Sequence, residues 1–256
     1  MNVLQINLHK SKVASANLLV HLAKGGADVV LIQEPWISDN RICGIRTADY
    51  NLLYKAGEGK PRSCVLIKKI YNAYLLTNFS DRDTTAVCLE TGRGSNLWLV
   101  AAYMPHDVAP PPPVLRELLT EARSSCAGVA FGADANAHHT IWGSTDVNER
   151  GELLLDYIIN ENIVICNRGN EPTFVVTTRR EVLDITLTNL LEDDFIGNWK
   201  VLEENSFSDH RYIQLTVCLD SGNQTVPVFR NYRKTDWHKF GETLRSLLQA
   251  CRSHLP

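Results

Sequence analysis

The sequence predicts an α/β fold, on three observations. Residues 2–8 alternate, with Val3, Gln5 and Asn7 on one face and Leu4, Ile6 and Leu8 on the other, the period of a strand. Residues 11–24 place Ala14, Leu18, Leu19, Leu22 and Ala23 at helical spacing, between a Ser11 N-cap and a Gly25-Gly26 stop. Residues 27–32 are then almost wholly apolar, as in a strand covered on both faces. Strand, helix and buried strand make a β-α-β unit, hence a parallel pair with a right-handed crossover. Asn7 and Glu34 would stand near the carboxyl ends of its two strands, the edge where open α/β sheets place ligands.

The following elements are short. A loop-rich stretch over 40–60 holds a strand at 50–54, and its Gly57–Arg62 segment lacks the spacing and ending of a P-loop. Strands are expected at 63–68, 73–77, 84–90 and 97–103, separated by turn residues. The last stops at Met104-Pro105-His106 and leaves Tyr103 at its end. Pro110–Pro113 reads as a rigid lead-in to a helix over 114–124.

Next comes an apolar strand, 128–131, that breaks at Gly132 and delivers Asp134 and Asn136 two residues apart. On an extended segment the two side chains project from one side and can converge on a water or a phosphate. The same pair can also serve an Asx-type turn. The adjacent His138-His139 would point apart and has no cysteine at ligand spacing, which weighs against zinc. A helix over 153–161 and a strand over 163–166 follow. Residues 172–176 and 182–188 read as a hairpin around Thr177–Arg180. Asp184 interrupts the second strand, where a carboxylate wants a partner, and the Ser208-Asp209-His210 turn offers an imidazole that it could tune. The last strand is 212–217.

Composition narrows the class. Seven widely spaced cysteines without a C-x-x-C fit free thiols in a reducing, intracellular compartment. No window approaches a membrane span, and the N-terminus does not read as a signal peptide. The net charge is −3, but residues 221–256 carry a net +4 and the first 220 a net −7. An acidic body that handles phosphate calls for a divalent cation.

The ordered pieces L-x-I-N at 4–7, I-Q-E-P-W at 32–36, Y-M-P at 103–105, G-A-D-A-N-A-H-H at 132–139, P-T-F at 172–174, L-D-I at 183–185 and S-D-H at 208–210 form one set. Over about residues 1–218 this set resembles the endonuclease/exonuclease/phosphatase superfamily, and within it the apurinic-type endonuclease domain of non-LTR (LINE-like) retrotransposons. The resemblance implies a four-layer α/β sandwich: two packed mixed β-sheets flanked by helices, with the active site at one rim. It implies a Mg2+ or Mn2+ ion on Glu34 with Asn7, and Asp209 as a second ligand or a support. It gives Asp134 the attacking water, Asn136 its orientation, Tyr103 and His210 the phosphate, and Asp184 the support of His210. DNA contacts fall to Arg179 and Arg180 at the hairpin tip, alternatively a solvated turn, and to His106 and Thr173.

Two positions depart from the repair-type pattern. His9 stands where those enzymes carry an acid and His106 where they carry an amide, which weakens abasic-site repair but leaves phosphodiester cleavage intact. The domain is expected over 1–220. Residues 221–256 would be a basic linker and amphipathic helix (Trp237, Phe240, Leu244, Leu247, Leu248) leading toward a reverse transcriptase absent from this chain. The expected activity is metal-dependent nicking of double-stranded DNA to leave a 3′-hydroxyl for target-primed reverse transcription, with nuclear action implied by the family alone. A same-fold phosphoesterase for a small phosphoester, or an inactive nucleic-acid-binding module, are the alternatives.

Overall fold

The computed structural model describes residues 1–57, 59–91, 96–190, 195–219, 238, 239 and 241. The expectations for 221–256 therefore lie almost wholly outside the described residues. The first elements are β1 (Asn2–Asn7), α1 (Lys12–Ala23), β2 (Val29–Gln33), β3 (Ile37–Ser38), β4 (Arg41–Ile42), β5 (Tyr50–Leu53) and β6 (Ser63–Lys68). Then come β7 (Ala73–Leu75), β8 (Thr84–Glu90), β9 (Asn96–Tyr103), α2 (Pro113–Ser124), β10 (Gly128–Asp134) and α3 (Glu149–Asn160). The rest are β11 (Val164–Ile165), β12 (Phe174–Val176), β13 (Arg179–Glu181), β14 (Asp184–Thr188), β15 (Ile196–Val201) and β16 (Ile213–Val217).

Two six-stranded mixed sheets carry the fold, in the orders β15-β16-β1-β2-β6-β5 and β11-β14-β10-β9-β8-β7. β1 and β2 pair in parallel across α1, the β-α-β unit legible in the sequence. The strand faces explain the layering. Val3, Leu31, Val65 and Leu215 of the first sheet meet Val87, Leu99, Ala101 and Ala130 of the second in one buried cluster. On the outer face of the first sheet, Leu4, Ile6 and Val30 pack on Ala14, Leu18 and Leu22 of α1. On that of the second, Val100, Val129 and Phe131 pack on Leu115, Leu118 and Leu119 of α2 and on Leu154 and Ile158 of α3. Helix, sheet, sheet and helix give the expected four-layer sandwich.

The helix ends follow their caps. Ser11 Oγ accepts from Ala14 N–H at 3.1 Å, and Asn148 Oδ1 accepts from Gly151 N–H at 2.8 Å. Pro113 occupies the first turn of α2, where its missing N–H costs nothing.

Polar groups cross the inter-sheet layer near one end. Gln5 Nε2 donates to the carbonyls of Ala133 and Ile185, at 3.2 and 3.3 Å, and its Oε1 accepts from Thr186 Oγ1 at 3.0 Å. Gln33 Nε2 donates to the Gly132 carbonyl at 2.9 Å. Gly132 is required there: a Cβ would stand 2.5 Å from Gln5 Oε1.

Three local expectations change. The hairpin read over 172–188 is two features: β12 pairs with β13, whereas 184–188 joins the main sheet beside β10. Thr177-Thr178 form the tip, so Arg179 and Arg180 lie on the returning strand β13 and not at the tip. β15, whose polar Asn198 and Lys200 disguised it, was not expected, and neither was the small β3–β4 hairpin.

Substituting Gly132→Ala should destabilise the domain by about 1–3 kcal/mol through forced displacement of Gln5. Urea unfolding measures this; a stability equal to wild type would show that the Gln5 contact yields without cost.

Candidate active site

Strand register builds the site. Asp134, last residue of β10, pairs with Tyr103 on parallel β9 and with Asp184 on antiparallel β14. Three polar residues thus form a row across adjacent strand ends. Asn7, last residue of β1, reaches over from the other sheet and its Nδ2 donates to Asp134 Oδ2 at 2.7 Å. The S-D-H turn adds His210, whose Nδ1 donates to Asp184 Oδ2 at 2.8 Å. Its Nε2 then faces Asp134, 4.0 Å from Oδ2.

Asn7, Asp134, Asp184 and His210 are all buried, and Tyr103 is partly so. Burial pushes the Asp134 carboxyl up to about 7, reinforced by Asp184 and opposed by His210 and Asn7. Burial works against the His210 imidazolium, but the Asp184 carboxylate overrides it and lifts His210 to about 9. Burial, Glu34 and Asp134 also raise Tyr103. Near neutral pH the site therefore holds a cationic imidazole beside a carboxylate poised to take a proton.

Asp134, His210 and Tyr103 open into a cavity of about 470 Å³ whose lining also includes Glu34, Asn136 and Phe174. Asn136 donates from Nδ2 to the Met104 carbonyl at 3.1 Å, and its N–H donates to Asp134 Oδ1 at 3.2 Å. Glu34 is buried with Lys10 Nζ 2.6 Å from Oε1. Asp209 pairs with His9 at 2.9 Å, and the His9 ring lines the cavity. His9, Lys10, Glu34, Asn136 and Phe207 all have positive φ. Left-handed backbone at non-glycine residues is uncommon and gathers at functional sites.

The remaining expected residues divide. His106, Arg179 and Arg180 are exposed, and the first two line the cavity. Thr173 is fully buried, and its hydroxyl accepts from the N–H groups of Leu183 and Asp184, each at 3.1 Å. It therefore anchors the start of β14, a position without access to a DNA backbone.

Sequence reasoning missed Arg150 and Phe174. Arg150 donates to the carbonyls of Asn136, His106 and Val108 at 3.0, 3.2 and 2.7 Å, tying two loops at the rim. Phe174 sets its edge against the His210 ring, with centroids 5.1 Å apart. The discounted His138 also lines the cavity; its ligand atom and those of Asp146 and Glu181 lie within 4.8 Å of one another and could hold a metal ion.

A group whose folded pKa is raised stabilises below its unfolded value and loses that contribution as pH climbs through the folded one. The His210–Asp184 pair should thus act fully below about pH 6.5 and fade through about 9. In the metal-free protein the His210 ring should titrate near 9 by NMR, and Asp184→Asn should move it down toward 6.5 or below. A wild-type titration near 6.5 would contradict the pairing.

Residues 97–214 match the family model described as endonuclease-reverse transcriptase. No curated protein sequence matches the chain. Among solved structures, the fold is similar to the endonuclease domain of TRAS1, a telomere-specific non-LTR retrotransposon, at 24% identity and a TM-score of 0.70, covering 84% of this chain and 97% of that one. It is similar to an AP endonuclease, LMAP, from Leishmania major at 12% identity and a TM-score of 0.65, covering 84% and 86%. It is also similar to a 3′-phosphatase from Neisseria bound to a product DNA hairpin, at 12% and 0.60, covering 85% and 99%. Residues 97–214 thus carry the likeness to the endonuclease-reverse transcriptase family, and the α/β sandwich is shared with these solved structures over 84–85% of this chain.

Proposed function

We propose that the chain is a metal-dependent DNA endonuclease of a non-LTR retrotransposon, which nicks target DNA to leave a 3′-hydroxyl for target-primed reverse transcription. The observation that carries this reading is the Asp134–His210–Asp184 arrangement at the strand ends, a proton acceptor 4.0 Å from a supported imidazole inside an open cavity. The likeness to the TRAS1 endonuclease domain and the endonuclease-reverse transcriptase match favour it over a small-molecule phosphoesterase. Residues 1–220 would be the nuclease domain, and 221–256 would lead toward the polymerase. Its DNA substrate implies action in the nucleus.

Asp134 takes a proton from a water that Asn136 helps aim at the scissile phosphorus. The water oxygen bonds to phosphorus while the P–O3′ bond breaks, and the departing 3′-oxygen takes a proton from solvent and ends as a hydroxyl. His210 donates from Nε2 to a non-bridging oxygen, steadied from Nδ1 by Asp184. Tyr103 gives a second hydrogen bond to the phosphate. Arg179, Arg180 and His106 meet the DNA backbone around the cavity.

A divalent metal fits the donor set. Glu34 is a buried carboxylate that draws the Lys10 ammonium to 2.6 Å, so it demands positive charge, and Glu34, Asn7 and Asp209 offer hard oxygens. When bound, Mg2+ or Mn2+ would stabilise charge on the phosphate and the leaving oxygen.

Supercoiled plasmid should be converted to nicked circles with Mg2+ or Mn2+ and not with EDTA. His210→Ala and Asp134→Asn should each lower the rate by about 10²–10³ or more. A folded, metal-supplied protein that leaves plasmid intact yet hydrolyses a small phosphoester would favour the phosphoesterase instead.

A further inference from the structure

His138 lies on the cavity wall, yet no step of the hydrolysis uses it. Both ring nitrogens are engaged. Nδ1 contacts the Asp146 carboxylate, with Glu181 Oε2 3.9 Å away, and Nε2 contacts Arg179 Nη2. A guanidinium only donates, so Nε2 is the accepting nitrogen and Nδ1 carries the hydrogen given to Asp146. The neighbours thereby define one neutral tautomer.

The surroundings hold this ring still. Its side chain is 13% exposed. Glu181 is pinned by the Thr145 N–H at 2.8 Å, the Thr145 hydroxyl at 2.5 Å and the Val182 N–H at 3.0 Å. Gly151 packs so closely that a Cβ there would stand 1.8 Å from the His138 carbonyl. Arg179 differs: it is exposed, on a two-stranded hairpin. Its guanidinium also stands 5.9 Å from the centroid of Phe174, the ring that abuts His210. Ordering a free arginine costs up to about 2 kcal/mol of side-chain entropy, and contacts on two sides lower what remains to be lost on binding.

We propose that His138 is a positioning residue: with Asp146 behind it, the neutral imidazole fixes Arg179 at the cavity wall as a contact for a DNA phosphate. This rests on the endonuclease reading. A metal ion on His138, Asp146 and Glu181 is the competing use of the cluster. The Arg179 charge against the ring and the three hydrogen bonds already accepted by Glu181 oppose it.

The test is binding of the full chain to a duplex in EDTA over a range of salt, beside steady-state nicking. Arg179→Ala should reduce the slope of log K against log salt by about 0.9, one phosphate contact. His138→Ala should reduce it equally, raise KM and leave kcat unchanged, and the double variant should lose no more than either single one. His138→Gln, which can accept from Arg179 and donate to Asp146, should restore the slope. Asp146→Ala, on an exposed side chain, should reproduce the loss without risk to the fold. A wild-type slope in both His138→Ala and Asp146→Ala would overturn the proposal while leaving the endonuclease reading intact. So would a bound Mn2+ that wild type holds and His138→Ala loses. A wild-type chain that does not bind DNA would overturn both.

Discussion

The Asn7–Asp134 hydrogen bond, 2.7 Å long and made between two sheets, is the contact on which the site depends. Either sheet alone carries only part of the chemistry: Tyr103, Asp134 and Asp184 belong to one, and Asn7 and Glu34 to the strand ends of the other. The contact is not isolated. Gln5 and Gln33 repeat it one and two steps inward, so that a column of amides from β1 and β2 grips the backbone of β10 and β14. Buried amide N–H groups are costly unless satisfied, and the Nε2 groups of Gln5 and Gln33 find these acceptors only when the two sheets are stacked in one register. The same groups that select the packing therefore align the site.

Electrostatics then separates the roles of two like carboxylates. Asp134 and Asp184 face each other across paired strands. Asp184 gives its oxygen to the His210 Nδ1–H and supports the cation, whereas Asp134 meets the ring only at the more distant Nε2 and is pushed up by burial. One carboxylate becomes a fixed counter-charge and the other a group able to exchange a proton near neutrality. Environment, not residue type, makes the division.

Much of this was legible in the chain itself. Polar residues that end apolar strands stand out in one dimension: Asn7, Glu34, Tyr103 and Asp134 each interrupt or close a β-forming run, and Asp184 does so from within one. Register was not legible, because pairing Asp134 with both Tyr103 and Asp184 depends on strands distant in sequence. Gln5 and Gln33 carried no distinctive signal, since an amide in a strand reads as one side of an alternation whether it faces water or another sheet. The P-T-F motif does not reveal that the Thr173 hydroxyl is consumed inside by the turn into β14. The break between β13 and β14 is invisible in one dimension, because Val182 and Leu183 continue the apolar run of β14 while belonging to neither strand. His138 has no cysteine at zinc-ligand spacing in the sequence, and its ring contacts Asp146 and Arg179.

In the proposed mechanism Asp134 directs a water at phosphorus, with His210 across the transition state, so that the 3′-oxygen leaves. Single-turnover nicking of an end-labelled duplex in 18O-enriched water tests it most directly. Attack by water on phosphorus should leave one 18O atom in the new 5′-phosphate and an unlabelled 3′-hydroxyl that a polymerase extends without prior treatment. A 3′-phosphate, or a 5′-phosphate without the label, would contradict it.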